Sequence, residues 1–344
     1  MNFSALFFLI LIFVSSNFSA QTLRIAFGSC GHQDTELGIY KVIAQSKPDY
    51  FIFLGDNIYG DTRNMEVLQS KYDQLSVNPN FRVLQDSTQI LATWDDHDYG
   101  ENDAGRHYPM KEESKALFLN FFKEPNDSDR YKHKGVYTSY EFKIKQKKIQ
   151  LLVLDTRTFR DNMTLFDSLV LKDSSLKYEL DYVPTLSMDS TFLGDAQWIW
   201  LGNKLKEKAD YRIIVSSTQF GISYNGYESW SNFPHERNKL LQLILKTKAN
   251  GLVFISGDVH YGELSKVNYP GLYPIYDLTA SGLSESLHFA TPNSNRIQGP
   301  VMENHFGLLT INTKKKELQL QVINHKKEIK IDHKIGLKVL KIKR

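Results

Sequence analysis

Short apolar runs punctuate this chain, and each ends abruptly in small or polar residues. Leu23–Phe27 gives way to Gly28-Ser29-Cys30, Tyr50–Leu54 to Gly55-Asp56-Asn57, and Gln89–Thr93 to Trp94-Asp95-Asp96-His97-Asp98. Leu151–Leu154 runs into Asp155-Thr156-Arg157, Arg212–Val215 into Ser216-Ser217-Thr218-Gln219, and Leu252–Ile255 into Ser256-Gly257-Asp258-Val259-His260. Runs this short, rich in β-branched and aromatic residues, suit strands buried on both faces. Helical patterns lie between several of them. Ser114–Phe122 is one. Another starts at Asp195 as N-cap and puts Trp198, Leu201 and Leu205 on one face; a third follows Pro234, with Leu240, Leu241 and Ile244 in period. Strands alternating with helices predict an α/β fold.

In open α/β sheets the ligand crevice lies outside the carboxyl ends of the strands. The polar clusters occupy that position in every run, so they are expected to converge on one site. The stretch Asp161–Gly194 is polar and irregular, and reads equally as a loop over that site or a surface insertion. After Gly307 the pattern changes to alternation, with Leu318, Leu320 and Val322 on one face, which predicts an antiparallel hairpin closing a sheet.

Composition changes this picture little: 41% hydrophobic and 24% charged residues describe an ordinary globular chain. The ends matter more. The apolar run Ala5–Val14, followed by small polar residues to Ala20, has the length of a signal-peptide core and is too short to span a bilayer comfortably. The expectation is a signal peptide over residues 1–20, one exported domain over 21–344 in the periplasm, at the cell surface or outside the cell, and no membrane span after cleavage. From Asn312 onward eleven Lys/Arg face three Asp/Glu. A lysine-decorated edge strand explains this excess, and contact with an anionic surface is the alternative. No alternation of aromatic and basic residues marks a nucleic-acid groove. The single cysteine, Cys30, has no intramolecular disulfide partner, so its thiol is either inert or used.

The clusters carry metal chemistry. Asp258 and His260, two residues apart at a strand end, can both reach one ion from a turning backbone, and this donor pair suits zinc, iron or manganese. Asp56 follows four apolar residues and needs pairing, hydrogen bonds or a cation. Tyr59 offers a phenolate to a ferric ion or a packing ring. Asp95, Asp96, Asp98, Glu101 and Asp103 place five carboxylates within nine residues, which calls for compensating cations. Cys30 is a further transition-metal donor. Each cluster alone has an ordinary structural explanation; together they predict a multinuclear site.

These residues resemble the alkaline phosphatase D (PhoD-like) family of the calcineurin-like metallophosphoesterases. The resemblance rests on Gly28-Ser29-Cys30, Leu54-Gly55-Asp56-Asn57-Ile58-Tyr59, Trp94-Asp95-Asp96-His97-Asp98, Asp155-Thr156-Arg157, Gln197 with Trp200-Leu201, Pro234-His235-Glu236-Arg237 and Gly257-Asp258-Val259-His260, in that order. It implies a four-layer αββα sandwich and a site holding Fe3+ with Ca2+. Cys30, Tyr59 and His260 would ligate iron, Asp56 would bridge to calcium, and Asp96 and Asp258 would face calcium. His97 would stand by the scissile phosphate as general acid, and Asn102 near phosphate or metal, a part that Asp98, Glu101 or Asp103 would fill equally well. Arg157 either clamps a phosphate oxygen or pairs with Asp155. The implied activity is hydrolysis of phosphomonoesters or phosphodiesters by metal-activated water. Phospholipase D-like diester cleavage and a non-catalytic metal- or phosphate-binding surface protein are the alternatives.

Overall fold

The computed structural model describes residues 21–166, 180–224 and 226–343; the expected signal peptide therefore lies outside the described residues, as does the middle of the Asp161–Gly194 stretch. Two sheets face one another. The first contains β1 (Thr22–Gly28), β2 (Tyr50–Leu54), β3 (Gln89–Thr93), β13 (His305–Asn312), β14 (Glu317–Asn324) and β15 (Ile329–Gly336), in the order β15-β14-β13-β1-β2-β3. The second contains β4 (Thr138–Ile144), β5 (Lys147–Val153), β8 (Tyr211–Ser216), β9 (Leu252–Ser256), β10 (Gly262–Val267), β11 (Ile275–Ala280) and β12 (Arg296–Val301), in the order β12-β10-β11-β9-β8-β5-β4. A two-stranded ribbon, β6 (Thr164–Leu165) with β7 (Tyr182–Val183), stands apart.

The period of two in each strand sorts the side chains into layers. Leu23, Ile25 and Phe27 of β1 and Ile52 and Leu54 of β2 point inward to the core shared with the second sheet. Ala26, Phe51 and Phe53 point outward, under α1 (Ile39–Gln45), α2 (Met65–Val77), α3 (Pro79–Ser87) and, beyond the one-turn α4 (Asp96–Tyr99), α5 (Lys111–Phe121); α1, α2, α3 and α5 supply Tyr40, Tyr72, Phe81 and Phe118. On the other side α6 (Gly194–Lys206) and α7 (Pro234–Thr247) cover the second sheet with Trp198, Leu201, Leu205, Leu240, Leu241 and Ile244. Helix, sheet, sheet, helix is the four-layer sandwich expected.

β2 and β3 begin and end where the apolar runs predict. The predicted hairpin is β13–β14, with Leu318, Leu320 and Val322 in the inter-sheet core. The basic tail forms β15 at the sheet's edge, burying Ile331 and Ile335 and turning Lys330 and Lys334 out. Two boundaries differ. The helix expected at Ser114–Phe122 starts at Lys111. Asp195 is inside the first turn of α6 and is not its N-cap, because Thr191 and Glu236 already take the free donors: Thr191 Oγ1 accepts from Gly194 N at 2.8 Å, and Glu236 Oε2 accepts from Phe192 N at 2.9 Å. Among the described residues no helix is long and apolar enough to cross a membrane.

The two sheets touch at one end. A backbone bridge pairs Ser29, just past β1, with Ser281, just past β11. β1, β2 and β3 run parallel, as do β5, β8, β9 and β11, so their carboxyl ends open onto this junction.

Candidate metal centre

The strand ends are brought together by turns that ordinary residues adopt reluctantly. Cys30 (φ 59°), Asp56 (φ 48°), Asp258 (φ 77°) and His260 (φ 59°) all have left-handed backbones, as do Asp61 and Asp103 nearby. Such conformations cost free energy at non-glycine residues and persist where surrounding contacts impose them. Two serines impose them here. Ser29 Oγ accepts from Asp258 N at 3.2 Å, and Ser281 Oγ accepts from His260 N at 2.9 Å while lying 3.1 Å from the Cys30 sulfur. Gly55 (φ 107°) lets β2 close on β3: a Cβ there would lie 2.6 Å from Asp95 N.

The resulting donors form overlapping groups whose ligand atoms lie within 4.8 Å of one another. These are Cys30, Asp56 and His260; Asp56, Asp96 and His97; Asp95, Asp96 and Asp258; and Asp96, Asp103 and Glu228. Asp56 belongs to the thiol group and a carboxylate group, and Asp96 links the remaining three. The Cys30 thiol donates to Asp56 Oδ2 at 3.2 Å.

Several of these atoms are buried with nothing to bond. Asp56 Oδ1, Tyr59 Oη, Asp95 Oδ2 and Asp96 Oδ1 are all inaccessible and without a hydrogen-bond partner. Buried polar atoms are rarely left so. The electrostatics agree: burial, then the neighbouring Cys30, Asp96 and Asp95, push Asp56 well above the usual carboxylate range, and burial with Asp95 and Glu228 does the same to Asp258. Burial raises Cys30 to about 12 and holds the His260 imidazole neutral by lowering it. A thiol, a phenol, an imidazole and several carboxylates with orphaned oxygens are a donor set that fits bound cations.

His97 is different. Burial works against its charge, but the Asp61 carboxylate 2.7 Å from Nδ1 and the nearby Asp96 outweigh it and raise the imidazole to about 9. Its ring lies against Tyr59 at 4.3 Å between centroids. With Nδ1 committed to Asp61, Nε2 is the ring nitrogen left to face a ligand.

The acidic run after β3 separates into distinct tasks. Asp98 is an internal fastener: it accepts from Asp56 N at 3.2 Å, from Asp95 N at 2.7 Å and from the Asn57 amide. Glu101 turns away to pair with Arg63 at 2.8 Å. Asn102 is exposed and Asp103 half-buried, and both line a crevice of about 320 Å3 shared with Asp258, His260 and Tyr182. Asp103 accepts from the Tyr182 hydroxyl at 2.5 Å, so the described part of the Asp161–Gly194 stretch does reach the site.

Arg157 is not where a phosphate clamp belongs. It is fully buried, and its guanidinium is committed to Asp95, to Glu228 at 2.7 Å and to Asp96 at 3.4 Å, the last a charge contact too long for a good hydrogen bond. Nor does its side chain pair with Asp155, which accepts from the backbone of Val136, Arg157 and Thr158. Asp96 is the beneficiary: although burial opposes it, Arg157 and His97 bring it down to about 2.

Three participants escape sequence reading. Asp61, Glu228 and Ser281 lie in no strand-end cluster with a metal-ligand pattern. The adjacency of Asp61 to Gly55-Asp56-Asn57-Ile58-Tyr59-Gly60 was the one available signal; Glu228 and Ser281 carry none.

With this geometry in place, comparison with known proteins is informative. A family model described as PhoD-like phosphatase matches residues 25–334. The chain belongs to the PhoD-like phosphatase family. Alkaline phosphatase D of Bacillus subtilis (strain 168) is 24% identical over 295 residues, covering 72% of this chain and 47% of that protein. This PhoD-like chain therefore spans about half the length of the curated relative it matches. A solved structure of PhoD superposes with TM-score 0.67 at 18% identity, covering 92% of this chain and 68% of the other. A dimetal phosphatase from Danio rerio superposes with TM-score 0.54 at 12% identity, covering 92% and 99%. At these identities the structures establish the shared fold of PhoD-like and dimetal enzymes.

Proposed function

We propose that this PhoD-like chain is an exported, metal-dependent phosphoesterase. The carrying observation is the run of donors joined through Asp56 and Asp96, several of them with buried, unpartnered oxygens, beside His97, whose proton is held at neutral pH. In this reading Cys30, Tyr59 and His260 would hold Fe3+, and Asp56, Asp96 and Asp258 would hold Ca2+, with Asp56 within reach of both. A thiolate and phenolate suit ferric iron, and carboxylates suit calcium. Bound there, such cations would supply charge neutralisation of the phosphoryl group and activation of water.

The chain's own groups do the rest. Asp61 orients His97, whose Nε2 proton is available to the leaving alkoxide. Arg157 acts from behind, keeping Asp96 ionised and holding Asp95 in place. Asn102, at the crevice mouth, touches the phosphate or the alcohol. Tyr182, Tyr227, Leu287 and Phe289 wall the crevice and leave room for an organic group beside the scissile phosphate, which suits an ester with a sizeable alcohol.

The test is initial rates on matched nitrophenyl phosphate mono- and diesters with calcium present, run beside Asp258→Asn with metal content measured. Calcium-dependent turnover lost in the variant supports the reading, and the mono-to-diester ratio selects the substrate. A metal-loaded protein that turns over neither ester would instead be a binding protein. Export rests on the apolar run Ala5–Val14; mass spectrometry of protein from an exporting host should find a mature N-terminus at Gln21, and an intact Met1 would refute it.

A further inference from the structure

Arg237 belongs to a motif, Pro234-His235-Glu236-Arg237, that the metal centre does not use. Glu236 is structural, accepting from the Trp198 indole at 2.6 Å, and His235 contacts the Ser190 carbonyl at 2.7 Å. Arg237 has no such task. Its guanidinium lies over the Phe220 ring at 5.4 Å, and its Nε is inaccessible and without a hydrogen-bond partner. Among the described residues no carboxylate forms an ion pair with it. Asp277, the carboxylate whose charge acts on it, is already spent: its oxygens accept from Phe220 N at 3.0 Å, Gly221 N at 2.7 Å and the Ser256 hydroxyl at 2.8 Å.

The side chain lines a cavity of about 450 Å3 beside the start of α7, together with Pro184, Ser231, Asn238, Asn268 and Asn295. Among the described residues none lines both this cavity and the metal crevice, and Arg237 is the charged one of those lining the cavity. The contact with Phe220 takes up none of the guanidinium N–H groups, which form a planar fork matched to an oxyanion. A guanidinium does not discharge near neutral pH, and here Nε has lost its hydration without gaining a partner while the terminal nitrogens are left to meet a ligand or solvent. Burial brings Arg237 down to about 10, against the opposing charge of Asp277. Amide and hydroxyl groups surround it, and no carboxylate among the lining residues would repel an anion.

We propose that this cavity is a second phosphate-group binding site, separate from the metal centre, with the Arg237 fork as its anchor. Its occupant is orthophosphate or a phosphate group carried on an organic molecule. The two sites are connected through short stretches of chain: Tyr182 lines the crevice and Pro184 the cavity, and Glu228 the crevice and Ser231 the cavity. The inference does not depend on turnover in the crevice, because it concerns binding alone.

Calorimetric titration of the metal-loaded protein with orthophosphate, and in parallel with non-hydrolysable phenylphosphonate, tests it. Wild type should show a site that survives Asp258→Asn and is weakened about tenfold or more in Arg237→Gln, which removes the charged fork. Tighter orthophosphate points to a free-phosphate site; tighter phenylphosphonate points to an organic phosphate. Asn238→Asp, at an exposed helical position, puts a negative charge on the cavity wall. It should weaken the same site while leaving the melting temperature and nitrophenyl phosphate turnover unchanged, which guards against an Arg237 variant that folds poorly. Titrations of Arg237→Gln and Asn238→Asp that match wild type would overturn the proposal. Loss of all phosphate binding in Asp258→Asn would do so too, by assigning every site to the crevice. Absence of the crevice site alone, with the Arg237-dependent site intact, would count against the proposed catalysis and leave this cavity standing.

Discussion

His97 owes its proton to its neighbours. Asp61 and Asp96 raise it to about 9, so the charged form dominates at neutral pH and is lost as pH rises through that value. A rate that needs this proton should therefore decline on the alkaline side with a midpoint near the same value. Asp61→Asn removes the stronger of the two supports and should move that alkaline limb to lower pH, as a pH–rate profile would show. His97→Asn should lower kcat by about 10^2–10^3 for an alkyl phosphate and much less for a nitrophenyl ester, whose leaving group departs without a proton. Equal losses on both esters would mean that His97 serves binding or structure instead. Arg157 teaches the converse lesson. Its place after a strand end made it a candidate clamp in the sequence, yet nothing in Asp155-Thr156-Arg157 says which way the side chain turns. Three carboxylates from two other segments decide that.

Between elements, buried polar joints set the geometry that the metal centre inherits. Gln197 of α6 clasps the end of β5, accepting from Asp155 N at 2.9 Å and donating to Asp155 O at 2.7 Å. Gln197→Ala leaves that buried peptide unit unpaired and should cost about 2 kcal/mol in urea denaturation. His305 of β13 makes a similar joint across the sheets: its Nδ1 donates to the Glu303 carbonyl at 2.6 Å and its Nε2 accepts from Ser281 N at 3.2 Å. Burial lowers this imidazole to about 4, so the folded chain refuses a proton that the unfolded chain accepts below its ordinary value of 6.5. Stability is then undiminished above 6.5 and falls as pH drops from there toward 4, by about 3 kcal/mol in total. His305→Gln should flatten that part of the stability–pH curve. The central strands are legible because each carries an unbroken apolar run, as in Phe51–Leu54 and Leu252–Ile255, whereas α1 is only seven residues long and gives no periodic signal. Likewise Cys30, Asp56, Asp96, Asp258 and His260 stand at strand ends that topology brings together, while Asp61, Glu228 and Ser281 gain their roles only from partners distant in the chain.

For the whole molecule, the metal centre is a reservoir of unfavourable charge until it is filled. Asp56 and Asp258 are held well above the usual carboxylate range, and Asp95 and Glu228 at about 7, all chiefly by burial. Carboxyls whose folded values are raised favour the fold while protonated, and that contribution disappears as pH climbs through those values. Metal-stripped protein should therefore lose melting temperature between pH 5 and pH 8. Protein loaded with iron and calcium should not, because the cations replace the protons, and binding to the folded state adds stability of its own. Differential scanning calorimetry before and after chelation checks this; parallel curves for the two forms would mean that the carboxylates are not the metal's ligands.

The order of the strands also has a consequence in time. β1 is made early, but one of its two neighbours is β13, with Thr22 opposite Asn312. Cys30 reaches the Asp258 carbonyl across 228 positions of chain. At ribosomal speeds of about 5–20 residues per second, that gap takes roughly 10–50 seconds to synthesise. Throughout that interval the thiol waits beside partners not yet made, and β1 has one open edge. No growing chain that stops short of residue 260 can offer a metal the full donor set, so metal capture begins only once the sandwich can close.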